Sequence, residues 1–148
     1  MAHGRLTYRT ATPQDVDDLA PRLRASDVRE IAAITAMPPI LALAVSRSTS
    51  TEAYVASIDG RVEVMFGARA DLFGRSALIW ALGTDALSEK PRRTITEARA
   101  WVDRWGLRYG LLTNTVHEEN HASVNMLRHL GFTFGPSRDG LVSFWRKT

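Results

Sequence analysis

His117-Glu118-Glu119-Asn120-His121 spells H-E-x-x-H. On one helix that pattern turns two imidazoles toward a common zinc ion and leaves the glutamate as the base of a peptidase. The neighbouring residues decide whether such a helix exists. Leu111 to Val116 alternates in the manner of a strand, and Asn120 is of a type that starts helices by accepting N–H bonds from the first turn. His117 is therefore expected before a helix and His121 inside it. No third ligand follows at a recognisable spacing, although His129 is present. No metal site is expected, and zinc peptidase chemistry stands as a remote alternative.

The one dense basic group is Lys90, Arg92 and Arg93, which could hold phosphates by charge and by bidentate hydrogen bonds. Against this, Thr94-x-x-Glu97 has the form of a capping box, whose hydroxyl and carboxylate would occupy the helix donors a phosphate needs. Glu63 lies between Val62 and Val64, so straight alternation turns it outward as a surface charge. Trp80, Trp101, Trp105 and Trp145 fall mostly at apolar-face positions and are expected to pack in the core rather than form a binding platform.

These residues need elements to hold them. Leu6 to Arg9 alternates as a strand, and Thr12-Pro13-Gln14-Asp15 supplies a cap, a first-turn proline and an acid for a helix carrying Val16, Leu19, Ala20 and Leu23. A second helix opens at Ser26-Asp27. Pro38-Pro39 ends it before a third, from about Ile40 to Val45, and Ser46 to Thr51 reads as a polar linker. Asp59-Gly60 favours a tight turn between strands Glu52–Ile58 and Arg61–Ala68. Ser76 to Leu82 makes a further strand after Gly74, and a long helix is expected from about Thr94 to Leu107. Strand Leu111–Val116, helix Asn120–Leu130 and a closing hairpin around Pro136 to Gly140 complete the order. Strand–helix alternation is confined to the C-terminal half, as in α/β (α+β) folds.

A chain of 148 residues that is 45% hydrophobic has the size of one domain, residues 1–148. No apolar run reaches membrane-span length, and Met1-Ala2-His3-Gly4-Arg5 lacks the apolar core of a secretion signal, so a cytoplasmic protein is expected. Without cysteine, disulfides and thiolate metal sites do not arise. The net charge of +3 is scattered among acids with no aromatic-interleaved basic stretch, which argues against nucleic acid as a partner.

The element order, an antiparallel meander followed by a βαβα unit, resembles the GNAT superfamily of N-acetyltransferases. Tyr8-Arg9-Thr10-Ala11-Thr12-Pro13-Gln14-Asp15, Leu82-Gly83-Thr84, Asn120 and Leu130-Gly131-Phe132 carry the likeness. It implies a GNAT fold with a mixed, mostly antiparallel sheet flanked by helices. It also implies acetyl-CoA as cofactor and an amine as acceptor, meeting between the strands that end at Leu82 and Val116. In that family a loop of an Arg or Gln followed by spaced glycines cradles the pyrophosphate; the matching loop here, Ser88 to Thr96, has no glycine.

The cofactor-binding residues implied are Leu82, Thr84, Ser88, Lys90, Arg92, Arg93, Thr94 and Asn120, the last against the pantetheine arm. Seven residues beyond Asn120 the family often places a tyrosine that protonates the departing thiolate. Leu127 stands there instead, leaving that proton to water or to a group elsewhere in the chain. Candidates to take the acceptor's proton are Glu63, Thr84 through a water, and His117. A narrower likeness, adding Asp59-Gly60, Phe66-Gly67 and Asn114, is to GNAT-like proteins of tailed phages and prophages, some described as internal virion proteins. It implies a second function class: a non-catalytic protein that keeps the fold for assembly or host interaction, with phage or host proteins as partners and the virion interior as a possible location.

Overall fold

The computed structural model describes residues 4–148; the first three residues of the polar opening, Met1, Ala2 and His3, lie outside the described residues. Seven strands form one mixed sheet in the order β1-β2-β3-β4-β5-β7-β6, mostly antiparallel with β4 and β5 parallel, flanked by helices. The residues group into two compact units, Met1–Ala68 with Trp80–Leu87, and Arg69–Ile79 with Ser88–Thr148.

In the first unit, strand β1 (Leu6–Thr10) leads into α1 (Pro13–Leu19). Thr12 caps α1 as expected: its hydroxyl accepts from the Asp15 N–H at 3.4 Å, and the Asp15 carboxylate accepts from the Thr12 N–H at 2.8 Å. A short 3₁₀ turn, Ala20–Arg22, leads to α2 (Ala25–Ile34) and α3 (Pro39–Thr49). The polar linker expected from Ser46 is the last turn of α3 instead. The Thr49 hydroxyl donates back to the Val45 carbonyl at 2.7 Å, so polar residues continue the helix rather than end it.

Strands β2 (Glu52–Ile58) and β3 (Arg61–Ala70) join through Asp59-Gly60, whose φ values of 52° and 83° fit the primed turn that dipeptide favours. Val16, Leu19, Ile31, Leu43, Val55 and Met65 are buried in one apolar cluster, with Trp80 and Leu82 of β4 (Ser76–Gly83) packed against it.

In the second unit, α5 (Pro91–Tyr109) buries Val102, Trp105 and Tyr109 and is followed by β5 (Leu111–His117). Helix α6 (His121–His129) and the hairpin β6 (Thr133–Arg138) and β7 (Leu141–Lys147) complete the unit. The hairpin turn is Asp139-Gly140 alone. Pro136 sits within β6 where the register to β7 shifts, a place that tolerates its missing N–H. Helix α4 (Ala86–Glu89) is a single turn between β4 and α5. Trp105 is buried as expected, whereas Trp145 is 38% exposed on β7. Among the described residues, no single helix is long and apolar enough to cross a membrane.

Candidate active site

Glu63 does not face solvent. On β3, Val64 pairs with Ala56 but Val62 pairs with Ser57, so Glu63 is the extra residue of a β-bulge and the alternation that would turn it outward breaks there. It is 9% exposed, while Val62 and Met65 face the core. The Thr84 hydroxyl donates to its carboxylate, and the Thr84 N–H donates to its carbonyl at 2.9 Å. Arg22 approaches from the 3₁₀ turn: one guanidinium nitrogen donates to the Val62 carbonyl at 2.7 Å, and another lies 3.8 Å from the Glu63 carboxylate. Thr84 also opens α4, its Oγ1 accepting from the Ala86 N–H at 3.2 Å.

One residue earlier, both backbone groups of Gly83 are held by α2. The Asp27 carboxylate accepts from the Gly83 N–H at 2.9 Å, and the Arg24 N–H donates to the Gly83 carbonyl at 2.9 Å. Arg24 Nε lies 3.1 Å from the same carboxylate, inside the fold. Burial pushes the Asp27 carboxyl above the ordinary carboxylate range, outweighing Arg24 and the Gly83 amide, which pull it down.

Successive residues of a strand turn their N–H and C=O to opposite neighbours. Thr84 turns toward β3, as its bond to Glu63 shows, and Leu82 shares that direction by parity. Gly83 turns to the other edge, and so does Ile79, whose carbonyl accepts from the Asn114 side-chain amide at 2.6 Å. Ala81, between them, presents its N–H and C=O on that same edge. Pairing of β4 with β5 covers only Ser76↔Leu111, Ala77↔Leu112 and Leu78↔Thr113. The Asn114 amide thus takes a β4 carbonyl just where the ladder stops. Neither Ala81 nor the role of Asn114 follows from residue type; only strand parity and register reveal them.

In the second unit, α5 begins three residues before the expected Thr94. Lys90 precedes it, Pro91 is its first residue, and no side chain caps it. Thr94 lies within the first turn, its N–H bonded to the Lys90 carbonyl at 3.0 Å, so Thr94 and Glu97 do not form the capping box their spacing suggests. Ser88 lies in α4, ahead of this end, and Arg92 is exposed on it. No acid occupies the first turn, and Lys90, Arg92 and Arg93 place positive charge at the end of the helix dipole that is already positive. That arrangement opposes helix stability by itself and favours an anion.

Asn120, 5% exposed, caps α6 by accepting from the Ser123 N–H at 3.4 Å. His117 ends β5 and His121 opens α6, so the two imidazoles do not share a helix, and among the described residues no group of three possible ligands gathers. His117 Nδ1 accepts from the Glu119 N–H at 3.1 Å. Its Nε2 faces Gly140, where an added Cβ would stand 2.7 Å away. Glu118 accepts from the Ser137 hydroxyl at 2.6 Å. The motif's first two residues thus tie β5 to the β6–β7 hairpin.

No protein-family model and no curated protein matches the sequence. Solved structures do. An acetyltransferase of the GNAT family from Streptococcus pneumoniae matches with a TM-score of 0.63 and 16% identity over 97% of this chain and 99% of that one. The chain has the GNAT acetyltransferase fold. Aminoglycoside acetyltransferase AAC(6')-Ib, in complex with coenzyme A, matches with a TM-score of 0.69 and 16% identity over 97% of this chain and 95% of that one. The GNAT domain of S. lividans PAT matches at 0.68 with 18% identity, over 95% and 89% of the two chains. Within this fold Leu127 is 8% exposed on α6, where it fills apolar space.

Proposed function

We propose that the chain is an acetyl-CoA-dependent N-acetyltransferase acting on an amine, and that residues 1–148 work as one GNAT-like domain. The observation that carries this is the start of α5: nineteen helical residues opening on Lys90, Pro91, Arg92 and Arg93, with no acid in the first turn and no side-chain cap. Such an end suits a pyrophosphate through helix N–H groups and guanidinium charge, without the glycines of the usual loop. The match to a structure holding coenzyme A supports the same reading. Ala81, on the edge of β4, offers an N–H to the acetyl carbonyl, and Asn120 stands at the start of α6 for the pantetheine arm.

Acetyl-CoA when bound supplies an activated thioester, so that the amine forms a C–N bond as the C–S bond breaks. The amine's proton passes to the Thr84 hydroxyl as Thr84 gives its own to the Glu63 carboxylate, a relay made short by their hydrogen bond. Leu127 donates no proton, so the leaving sulfur would be protonated by water or by a group elsewhere in the chain. His117, with Nδ1 already accepting from Glu119, serves the turn rather than the relay.

The test is calorimetric titration of the chain with acetyl-CoA, repeated with Arg92→Ala/Arg93→Ala. Loss of one charge-assisted contact per arginine weakens binding by roughly tenfold to a hundredfold each. Absence of binding at millimolar acetyl-CoA overturns the enzyme reading and leaves the non-catalytic phage or prophage protein, which the buried Leu127 and the glycine-free loop favour.

A further inference from the structure

Glu63 stands on a one-residue bulge with its two carboxylate oxygens in different surroundings. Oε2 accepts from the Thr84 hydroxyl. Oε1 lies 3.8 Å from Arg22 Nη1 and 3.7 Å from Arg61 Nε. These two cations differ in how they are held. The Arg61 side chain is 66% exposed, where water and salt screen it. The Arg22 side chain is 21% exposed and its guanidinium is fixed by three hydrogen bonds. Nε donates to the Asp18 carbonyl at 3.2 Å, and Nη2 donates to the Asp18 carboxylate at 3.2 Å and to the Val62 carbonyl at 2.7 Å.

Val62 directly precedes the bulged residue, so one guanidinium grips the backbone that carries Glu63 and also faces its side chain. Its remaining nitrogen, Nη1, is buried and makes no hydrogen bond among the described residues. A buried donor left unpaired weakens a fold, so stapling the 3₁₀ turn to the hairpin does not account for Nη1. Facing Oε1 does. A fixed cation there attracts one carboxylate oxygen and leaves the other directed at Thr84.

We propose that Arg22 is a positioning residue for the Glu63–Thr84 pair: it fixes the bulge through Val62 and turns the carboxylate so that Oε2 stays on the Thr84 hydroxyl. This role rests on acetyl transfer through that pair. Arg22 exchanges no proton and acts only through Glu63.

A double-mutant cycle on the full chain tests it, with thiol release from acetyl-CoA followed in the presence of free lysine, spermidine or glucosamine as acceptor. Arg22→Met should lower kcat by about tenfold to a hundredfold, the scale of a misplaced reacting group, and leave the calorimetric affinity for acetyl-CoA unchanged. In a Glu63→Gln background the same change should cost less than about threefold, because the carboxylate it positions is gone. Arg22→Lys keeps a cation and should recover part of the loss, and it replaces the methionine variant if that one does not fold. Arg61→Ala should cost far less than Arg22→Met. A second measurement needs no turnover. The Thr84 N–H donates to the Glu63 carbonyl at 2.9 Å, and its hydrogen exchange should quicken about tenfold in Arg22→Met. Additive losses in the cycle, full kcat in Arg22→Met or unchanged Thr84 exchange would overturn the role of Arg22 and leave acetyl transfer standing. Wild-type turnover that persists undiminished in Glu63→Gln would instead overturn the catalytic pair and this role with it. If none of the three acceptors turns over, acetyl transfer to them fails and the exchange rates alone decide whether Arg22 holds the pair.

Discussion

Removing the Asp27 carboxylate should unfasten α2 from the end of β4, and the cost can be worked out from its contacts. In Asp27→Ala the Gly83 N–H loses its acceptor inside the fold, a penalty of about 1–3 kcal/mol. Arg24, 9% exposed, loses the carboxylate that lies 3.1 Å from its Nε. Breaking one side of a buried pair costs about 3–5 kcal/mol in all, which for a chain of this length corresponds to a fall in Tm of roughly 10 °C. Asp27→Asn keeps an oxygen for the Gly83 N–H and spares that penalty, though Arg24 still loses the charge beside it, so it should be less destabilising than Asp27→Ala.

The pH dependence has a definite sign. The folded chain holds the Asp27 proton more tightly than the unfolded chain, so this group's contribution is fully present below the unfolded value of about 3.9. It declines as pH rises through the elevated folded value. The deficit of Asp27→Asn relative to wild type should therefore shrink across that window. Thermal unfolding followed by circular dichroism, at several pH values, measures all of this. A Tm change under about 3 °C for Asp27→Ala, or an asparagine variant as damaged as the alanine one, would refute the account of Gly83 as the point held.

At Glu63, Glu63→Gln should lower kcat by about 10²–10⁴-fold while leaving the calorimetric affinity for acetyl-CoA unchanged, with Thr84→Val close behind. Gly140→Ala should cost more than Gly60→Ala in chemical denaturation: both have φ near 82°, but the new methyl at 140 meets His117 whereas nothing lies within 4 Å at 60. Hydrogen bonding to Arg9 lowers the Asp15 carboxyl, so stability from that pair is present above about pH 4 and fades as pH falls through the lowered folded value. Asp15→Asn should flatten the acid limb of the stability profile. Leu127→Ala should cost about 2–4 kcal/mol in urea unfolding, as expected for an apolar core residue.

The elements were largely legible because their signals are local. Thr12-Pro13 and Asp59-Gly60 act within four residues, and each produced the cap or turn its chemistry requires. The start of α5 was not, because Thr94-x-x-Glu97 has a capping box's spacing while Pro91 supplies the competing and stronger start. Glu63 was misplaced for a different reason: alternation assumes a straight ladder, and a bulge depends on the partner strand's register, which β3 alone does not contain. Ala81 and Asn114 carry no chemical signature, since a backbone group on an open edge is defined by which neighbour is missing.

The bulge at Glu63 has a consequence for how this chain can vary in length. A deletion of one residue between Val62 and Val64 would restore an unbroken hairpin ladder with the Asp59-Gly60 turn intact, and by backbone criteria alone would make a better hairpin. That deletion takes out Glu63 itself, and with it the carboxylate to which the Thr84 hydroxyl donates. In this strand the number of residues is thus under the same chemical constraint as their identity, and a gap there would remove a reactive group that no substitution had touched.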